Sequence, residues 1–214
     1  MALLTQIDVS SLLLHDCTIN AKGTRSCAIS FKDSSPVQVK LCEQPLRTPF
    51  GFSSYDENAN RKNLDLSISD ASLAGAIREI DQWILNCVIQ DPQKYLGKTC
   101  SAQLCEEMFK HSLTESKEKQ YPPTLRTKVT VGEGPYQLRC WNENKERRPL
   151  PLDARACQLQ PLLVIKSVWE MGSAFGILWE CPDLQITAVI GYKIRLGDGI
   201  GLRDFMGMSR PVDF

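Results

Sequence analysis

The sequence predicts an α+β chain dominated by β: a sandwich or a small, OB-fold-like antiparallel barrel with two packed helices. Three observations carry that expectation. Short period-two runs occur on both sides of the middle of the chain, and one long stretch between them has the helical period. The third is SVWEMGSAFGILWEC at 167–181, where two apolar runs flank a small Gly-containing loop, the mark of a hairpin. Strands, then helices, then closely spaced strands form an α+β layout rather than alternating β/α units.

Each element follows from its residues. Val37, Val39 and Leu41 alternate with Gln38 and Lys40, as in a half-buried strand. RTPFGFSSYDENANRK at 47–62 is rich in Pro, Gly, Ser and Asn and reads as a long loop. Leu64, Leu66 and Ile68 share one face of another strand. From Asp70 to Gln90 the period changes: Leu73, Ile77, Ile80, Ile84 and Cys87 recur every three or four residues. Ser69 or Asp70 can cap that helix, and Asp91-Pro92 stops it. Trp83, beside Ile80 and Ile84, is expected in the core. A second helix is expected over about 101–116, burying Leu104, Met108 and Phe109. After KEKQYPPTL the chain is β-like at 124–131, 135–141, 159–169, 176–181 and 184–194. The expected organisation is a single OB-like domain over 1–195, with a helical insertion at about 70–118, and then a flexible, Gly-rich tail at 196–214.

Composition narrows the function classes. A chain of 214 residues can bury one substantial core, and 43% hydrophobic with 23% charged residues is ordinary for a soluble domain. The 25 basic residues balance the 25 acidic ones, so no global field draws the chain to a nucleic acid or a membrane. The distribution is uneven. Residues 94–148 hold eleven Lys and Arg against seven Asp and Glu, whereas acids outnumber bases on either side. No apolar run approaches the roughly 20 residues that cross a bilayer. The N-terminal MALLTQIDVSSLLLHDC lacks the basic start of a signal peptide. The expectation is a protein of the cytoplasm or nucleus, not secreted and without a membrane partner. Nine scattered cysteines without a CxxC pair suggest reduced thiols.

Catalytic and metal chemistry find no foothold. Cys100, Cys105 and His111 form one loose group, but zinc sites need a second ligand pair. GDGIG at 197–201 lacks the strand and helix that would make it a phosphate cradle, and no GxSxG or Walker pattern occurs. No catalytic residue, metal or cofactor is expected.

In the hairpin, a loop centred on Ala174 sets Trp169 opposite Trp179 and Met171 opposite Ile177. Alternation then gathers Ser167, Trp169, Met171, Ile177, Trp179 and Cys181 on one uncharged side, so both indoles are expected in the core. The basic middle of the chain also carries aromatics: Lys94, Tyr95 and Lys98; Tyr121, Arg126 and Lys128; Tyr136, Arg139 and Trp141; and then Lys145, Arg147 and Arg148. Arg126 and Lys128 are two apart on a strand and share a face, as do Arg139 and Trp141. Cations for phosphates beside rings for bases are what sequence-independent single-strand binding needs. The same residues also fit the polar outer faces of half-exposed strands. Phe50, Phe52 and Tyr55 are secondary candidates.

LLVIKSVWEMGSAFGILWECPDLQI (162–186) resembles the C-terminal strand signature of the single-stranded-DNA-binding proteins of large nucleocytoplasmic DNA viruses, of the African swine fever virus and algal-virus type. RTPFGFSSYDE (47–57), QDPQKYLGKTCSAQ (90–103) and YPPTLRTKV (121–129) match in the same order. The 142–153 loop is short for that family, and the chain is compact. The resemblance implies an OB-type core that holds single-stranded DNA without sequence preference, with helices outside and neither catalysis nor cofactor. The expected partners are single-stranded DNA or RNA, replication proteins and a second copy of the chain. A viral structural or protein-interaction module of the same fold, without DNA binding, is the alternative.

Overall fold

The structure is a computed structural model that describes residues 2–21, 23–56, 58–117, 120–151 and 153–189. The tail expected at 196–214 lies outside them.

Six strands come first: β1 (Leu12–Ile19), β2 (Arg25–Phe31), β3 (Val37–Lys40), β4 (Leu46–Arg47), β5 (Phe52–Ser53) and β6 (Arg61–Ser67). Three helices follow, α1 (Ala71–Gln90), α2 (Pro92–Leu96) and α3 (Ala102–Met108). The rest is β: β7 (Phe109–Lys110), β8 (Leu113–Thr114), β9 (Thr124–Thr130), β10 (Arg139–Trp141), β11 (Arg147–Arg148), β12 (Cys157–Met171) and β13 (Ala174–Val189). The α+β, mainly β class is as the sequence predicts.

Local chemistry sets these boundaries. The Asp70 carboxylate accepts from the Ser72 and Leu73 amides and starts α1. Leu73, Ile77, Ile80 and Ile84 then point into the core, with Val88 rather than Cys87 as the last buried position. Asp91 ends α1 and caps α2 through the Lys94 amide, with Pro92 at the first helical position. The expected helix over 101–116 is shorter than its pattern suggested. It stops at Met108, and Phe109 instead enters β7, which pairs in parallel with β13 at Phe175. Tertiary pairing overrides helix propensity there. Cys105, Met108 and Phe109 are buried, whereas Leu104 is exposed. Trp83 is half-buried against the core.

The ladder runs β1-β2-β12-β13-β9-β6-β5, and among the described residues it is an open path rather than a closed barrel. It is also mixed: β7, β9 and β10 each pair with β13 in parallel. The stretch expected at 176–181 and the described part of that expected at 184–194, up to Val189, form one strand, and 190–194 lie outside the described residues. Pro182, which cannot donate to a ladder, sits in β13 where the register shifts between Leu162 and Val164 of β12.

The hairpin register departs from expectation. Its turn is Gly172-Ser173, so Met171 pairs with Ala174, Trp169 with Gly176, and Ile165 with Trp179. Two-residue turns whose first position has positive φ match the twist of the strands, and Gly172 supplies φ 65°. The two tryptophans therefore never oppose each other. Trp179 is 1% exposed in the core, whereas Trp169 is only half-buried. Gly176 lies beneath the Trp169 ring: a Cβ there would meet Lys110 O at 2.9 Å and Trp169 Cζ2 at 3.1 Å.

Cys17 and Cys27 oppose each other across β1 and β2, with Cα atoms 4.0 Å apart, and form a disulfide instead of remaining thiols. Direct cross-strand opposition brings their Cβ atoms within reach. No described helix is long and apolar enough to cross a membrane.

Candidate nucleic-acid interface

The outer face of β6, β9 and β13 is built from directly opposed residues. Arg61, Asn63 and Asp65 of β6 pair with Thr130, Lys128 and Arg126 of β9. Lys128 is in turn opposite Glu180 of β13. Leu125, Thr127 and Val129 alternate inward, which leaves Arg126 and Lys128 on one outer face, as their spacing predicts.

Three clefts follow one another along β13. The first, about 330 Å³, is lined by Ile177, Leu178 and Trp179 with Lys110, Arg126, Lys128 and Trp169. The second, about 430 Å³, is lined by Glu180, Cys181 and Pro182 with Arg61, Lys128, Tyr136, Arg139 and Lys166. The third, about 610 Å³, takes Asp183 and Gln185 with Lys40, Trp141, Lys145 and Leu162. Lys128 is common to the first two. The Arg139–Asp183 ion pair joins the second to the third. From Ile177 to Gln185 the strand covers eight steps, about 26 Å. Each cleft along it holds cations and one aromatic ring that is at least half exposed or half-buried.

The cations are mostly paired with carboxylates. Arg126 Nε and Nη2 donate to the two oxygens of Asp65 at 2.8 and 3.1 Å, and the Asp65 side chain is 3% exposed. The bond to Asp65 holds the Arg126 guanidinium pKa above its ordinary value. Arg61 Nη2 and Lys166 Nζ donate to opposite oxygens of Glu180, the latter at 2.7 Å. Lys128 differs, because its Nζ donates to the Asn63 amide oxygen at 2.6 Å. Burial, and then the Arg61 and Arg126 charges, push its pKa down. Asp183 accepts from Arg139 and, at 2.9 Å, from Trp141 Nε1, which fixes the indole plane. Arg147 lies over the Trp141 ring, 5.5 Å from its centroid.

The sequence candidates thus divide. Arg126, Lys128, Tyr136, Arg139 and Trp141 line the clefts, and Arg147 stacks on Trp141. Arg148 is largely enclosed, bonded to Glu146 at 3.3 Å. Tyr121 is exposed in the loop before β9 and lines none of the three clefts. Lys94, Tyr95 and Lys98 line none of the three clefts. Lys94 pairs with Asp16 at 2.8 Å, and Lys98 donates to Gly172 O at 2.9 Å, so each tethers the α2 region to a neighbouring strand or turn. Of the secondary candidates, Phe50 and Tyr55 are exposed and Phe52 packs against the core. Sequence reasoning missed Lys40, Arg61, Lys110, Lys166 and Trp169 as cleft residues. Arg61 lay in the stretch read as a loop and Lys110 in the stretch read as a helix, while Lys166 is aimed by a register shift between Ile165 and Ser167, which no local pattern announces.

Behind the first cleft lies a relay that resembles a catalytic set without forming one. Ser112 Oγ donates to Asp81 Oδ1 at 2.6 Å and accepts from Trp179 Nε1 at 2.8 Å. Its proton is thus committed to the carboxylate, and His111 Nδ1 stands 3.6 Å from Asp81 on the far side. Burial pushes the Cys140 thiol up to about 11 and that of Cys181 higher still, so neither supplies a thiolate at neutral pH. Among the described residues no group of three or more His, Cys, Asp or Glu side chains could hold a metal.

No family model and no curated protein matches the chain. Solved structures do. The single-stranded DNA-binding protein from bacteriophage Enc34 is 10% identical at a TM-score of 0.43, over 91% of this chain and 96% of that one. The same protein in complex with ssDNA gives 9% and 0.42, over 81% and 91%. Bacteriophage T7 gp2.5, also a single-stranded DNA binding protein, gives 8% and 0.41, over 73% and 94%. These likenesses are remote, so the functional reading rests on the geometry along β13.

Proposed function

We propose that the chain binds single-stranded DNA without sequence preference, along the outer track of β13, and acts on DNA exposed in replication, repair or recombination. The observation that carries the reading is the succession of three clefts over about 26 Å. Lys110, Arg126 and Lys128 stand beside Trp169; Arg61, Arg139 and Lys166 beside Tyr136; Lys40 and Lys145 beside Trp141. Backbone phosphates meet the cations while bases stack on the rings, a combination tolerant of sequence because every base has a π-face. The length suits the shorter site sizes, about 4 nucleotides and upward, of single-strand-binding folds. The four sequence blocks that resemble the single-strand binders of large nucleocytoplasmic DNA viruses agree with this reading and suggest a viral setting.

Fluorescence titration with oligo-dT from about 50 to 200 mM salt tests it. Binding that weakens linearly in log–log form, with a slope of about −0.7 per phosphate contact, is the expected result. Absence of binding at the lowest salt overturns the reading in favour of a protein-interaction module.

A further inference from the structure

We propose that Glu180 is a built-in phosphate surrogate: a carboxylate that occupies the central cleft and must be displaced before a nucleic-acid phosphate can seat there. The inference rests on the reading of the β13 track as a single-strand interface.

Glu180 lies at the middle of that track, and its side chain is about one quarter exposed. Its two oxygens are taken by cations from two different strands, Arg61 of β6 on Oε1 and Lys166 of β12 on Oε2. Lys128 faces it across the β9–β13 ladder, and Arg139 lines the same cleft. Four cations thus converge on a space holding one acid. The register shift that singles out Lys166 brings its ammonium to this carboxylate, and bulges commonly re-aim a side chain in this way.

The other two acids of the track have different duties. Asp65 is 2% exposed and holds Arg126 through two parallel bonds, and Asp183 orients the Trp141 indole as well as Arg139. Among the described residues, the side-chain hydrogen bonds of Glu180 go to cleft cations. Arg61 and Lys166 are each 51% exposed at the side chain, so their pairs with Glu180 are weakly held and open to exchange. A phosphate presents the same charge-assisted acceptor geometry to a guanidinium as a carboxylate does. An isolated phosphate gains little by replacing one acid with another. A strand that also fills the two flanking clefts gains enough to drive the exchange. Glu180 therefore makes the track selective for extended single strands over short or isolated anions.

The test compares the wild-type chain with E180Q and with E115Q, which removes an equal charge from the exposed Arg78–Glu115 pair beyond α1. Oligo-dT affinity of E180Q is expected to rise roughly 5- to 20-fold at 50 mM salt. Its log–log salt slope should steepen by about 0.7 for each of the two released cations. E115Q should stay within about twofold of wild type on the same scale. E180D keeps the charge but is one methylene too short to span both partners, so an intermediate gain is expected and serves if E180Q folds poorly. A wild type that binds while neither Glu180 variant binds tighter overturns the surrogate role alone. An equal gain in E115Q does the same. If neither wild type nor E180Q binds, the single-strand reading itself falls, and the role of Glu180 with it.

Discussion

Trp179 and Glu180 are neighbours on β13 and belong to two different regions of the molecule. Trp179 is enclosed, and its one polar atom donates to Ser112, which donates in turn to Asp81 on α1. Glu180 faces the cleft and bonds Arg61 and Lys166, both half exposed. In the first region Trp179, Ser112 and Asp81 satisfy one another's polar groups, so these contacts are worth stability. In the second, polar groups hold one another only loosely, and their worth lies in what can replace them. Period-two alternation is what allows one strand to do both. Substitutions on the two sides should therefore separate stability from affinity.

The largest effect is expected on the enclosed side. Trp179→Ala should cost about 3–5 kcal/mol, through lost burial and the cavity left behind, with the Ser112 hydroxyl losing a donor as well. Urea denaturation measures it. A loss below about 1 kcal/mol would break the comparison, because Trp179 would then be no core residue. Oligo-dT affinity of the folded fraction should change far less than stability, because Trp179 borders the first cleft with only 1% of its surface exposed.

Arg126 stands where the two regions meet, and its replacement sharpens the boundary. Its guanidinium lines the first cleft, but its partner Asp65 is buried. Arg126→Gln should lower stability by about 1–3 kcal/mol, by leaving Asp65 short of its charge-assisted donors, and reduce the salt slope by about 0.7. Adding Asp65→Asn should recover part of the stability but none of the slope. Recovery of both would show that Arg126 matters to binding only through the fold.

Much of this division was legible in the sequence, and the part that was not has identifiable causes. Asp70 and Asp91 mark α1 because side-chain capping is local, and Arg126 and Lys128 share a face because strand alternation is local. The tryptophan pairing was misread because it depends on turn length: Gly172-Ser173 shifts the partner of Trp169 from Trp179 to Gly176. The same local reasoning placed Lys94 and Lys98 with the binding residues, since composition cannot tell a cation that meets solvent from one tied to Asp16 or to Gly172 O. Lys166 was invisible because a shift between two long strands aims it. Nothing local marks Asp81, because its partner Ser112 lies 31 residues away.

The smallest effect, and the finest discrimination, comes from two lysines. Lys128 and Lys94 were equivalent as letters in a basic segment, yet the first lies among Arg61, Arg126 and Glu180, whereas the second is spent on Asp16 at the β1–α2 junction. Lys128→Gln preserves a side chain that can still meet Asn63, so its melting midpoint should stay near that of the wild type, while oligo-dT affinity falls a fewfold and the salt slope by about 0.7. Lys94→Gln should leave affinity within about twofold and the slope unchanged, because the charge it removes lies outside the track. Equal slopes lost in both variants would mean that the bound strand extends over α2, and that the track along β13 is only part of the interface.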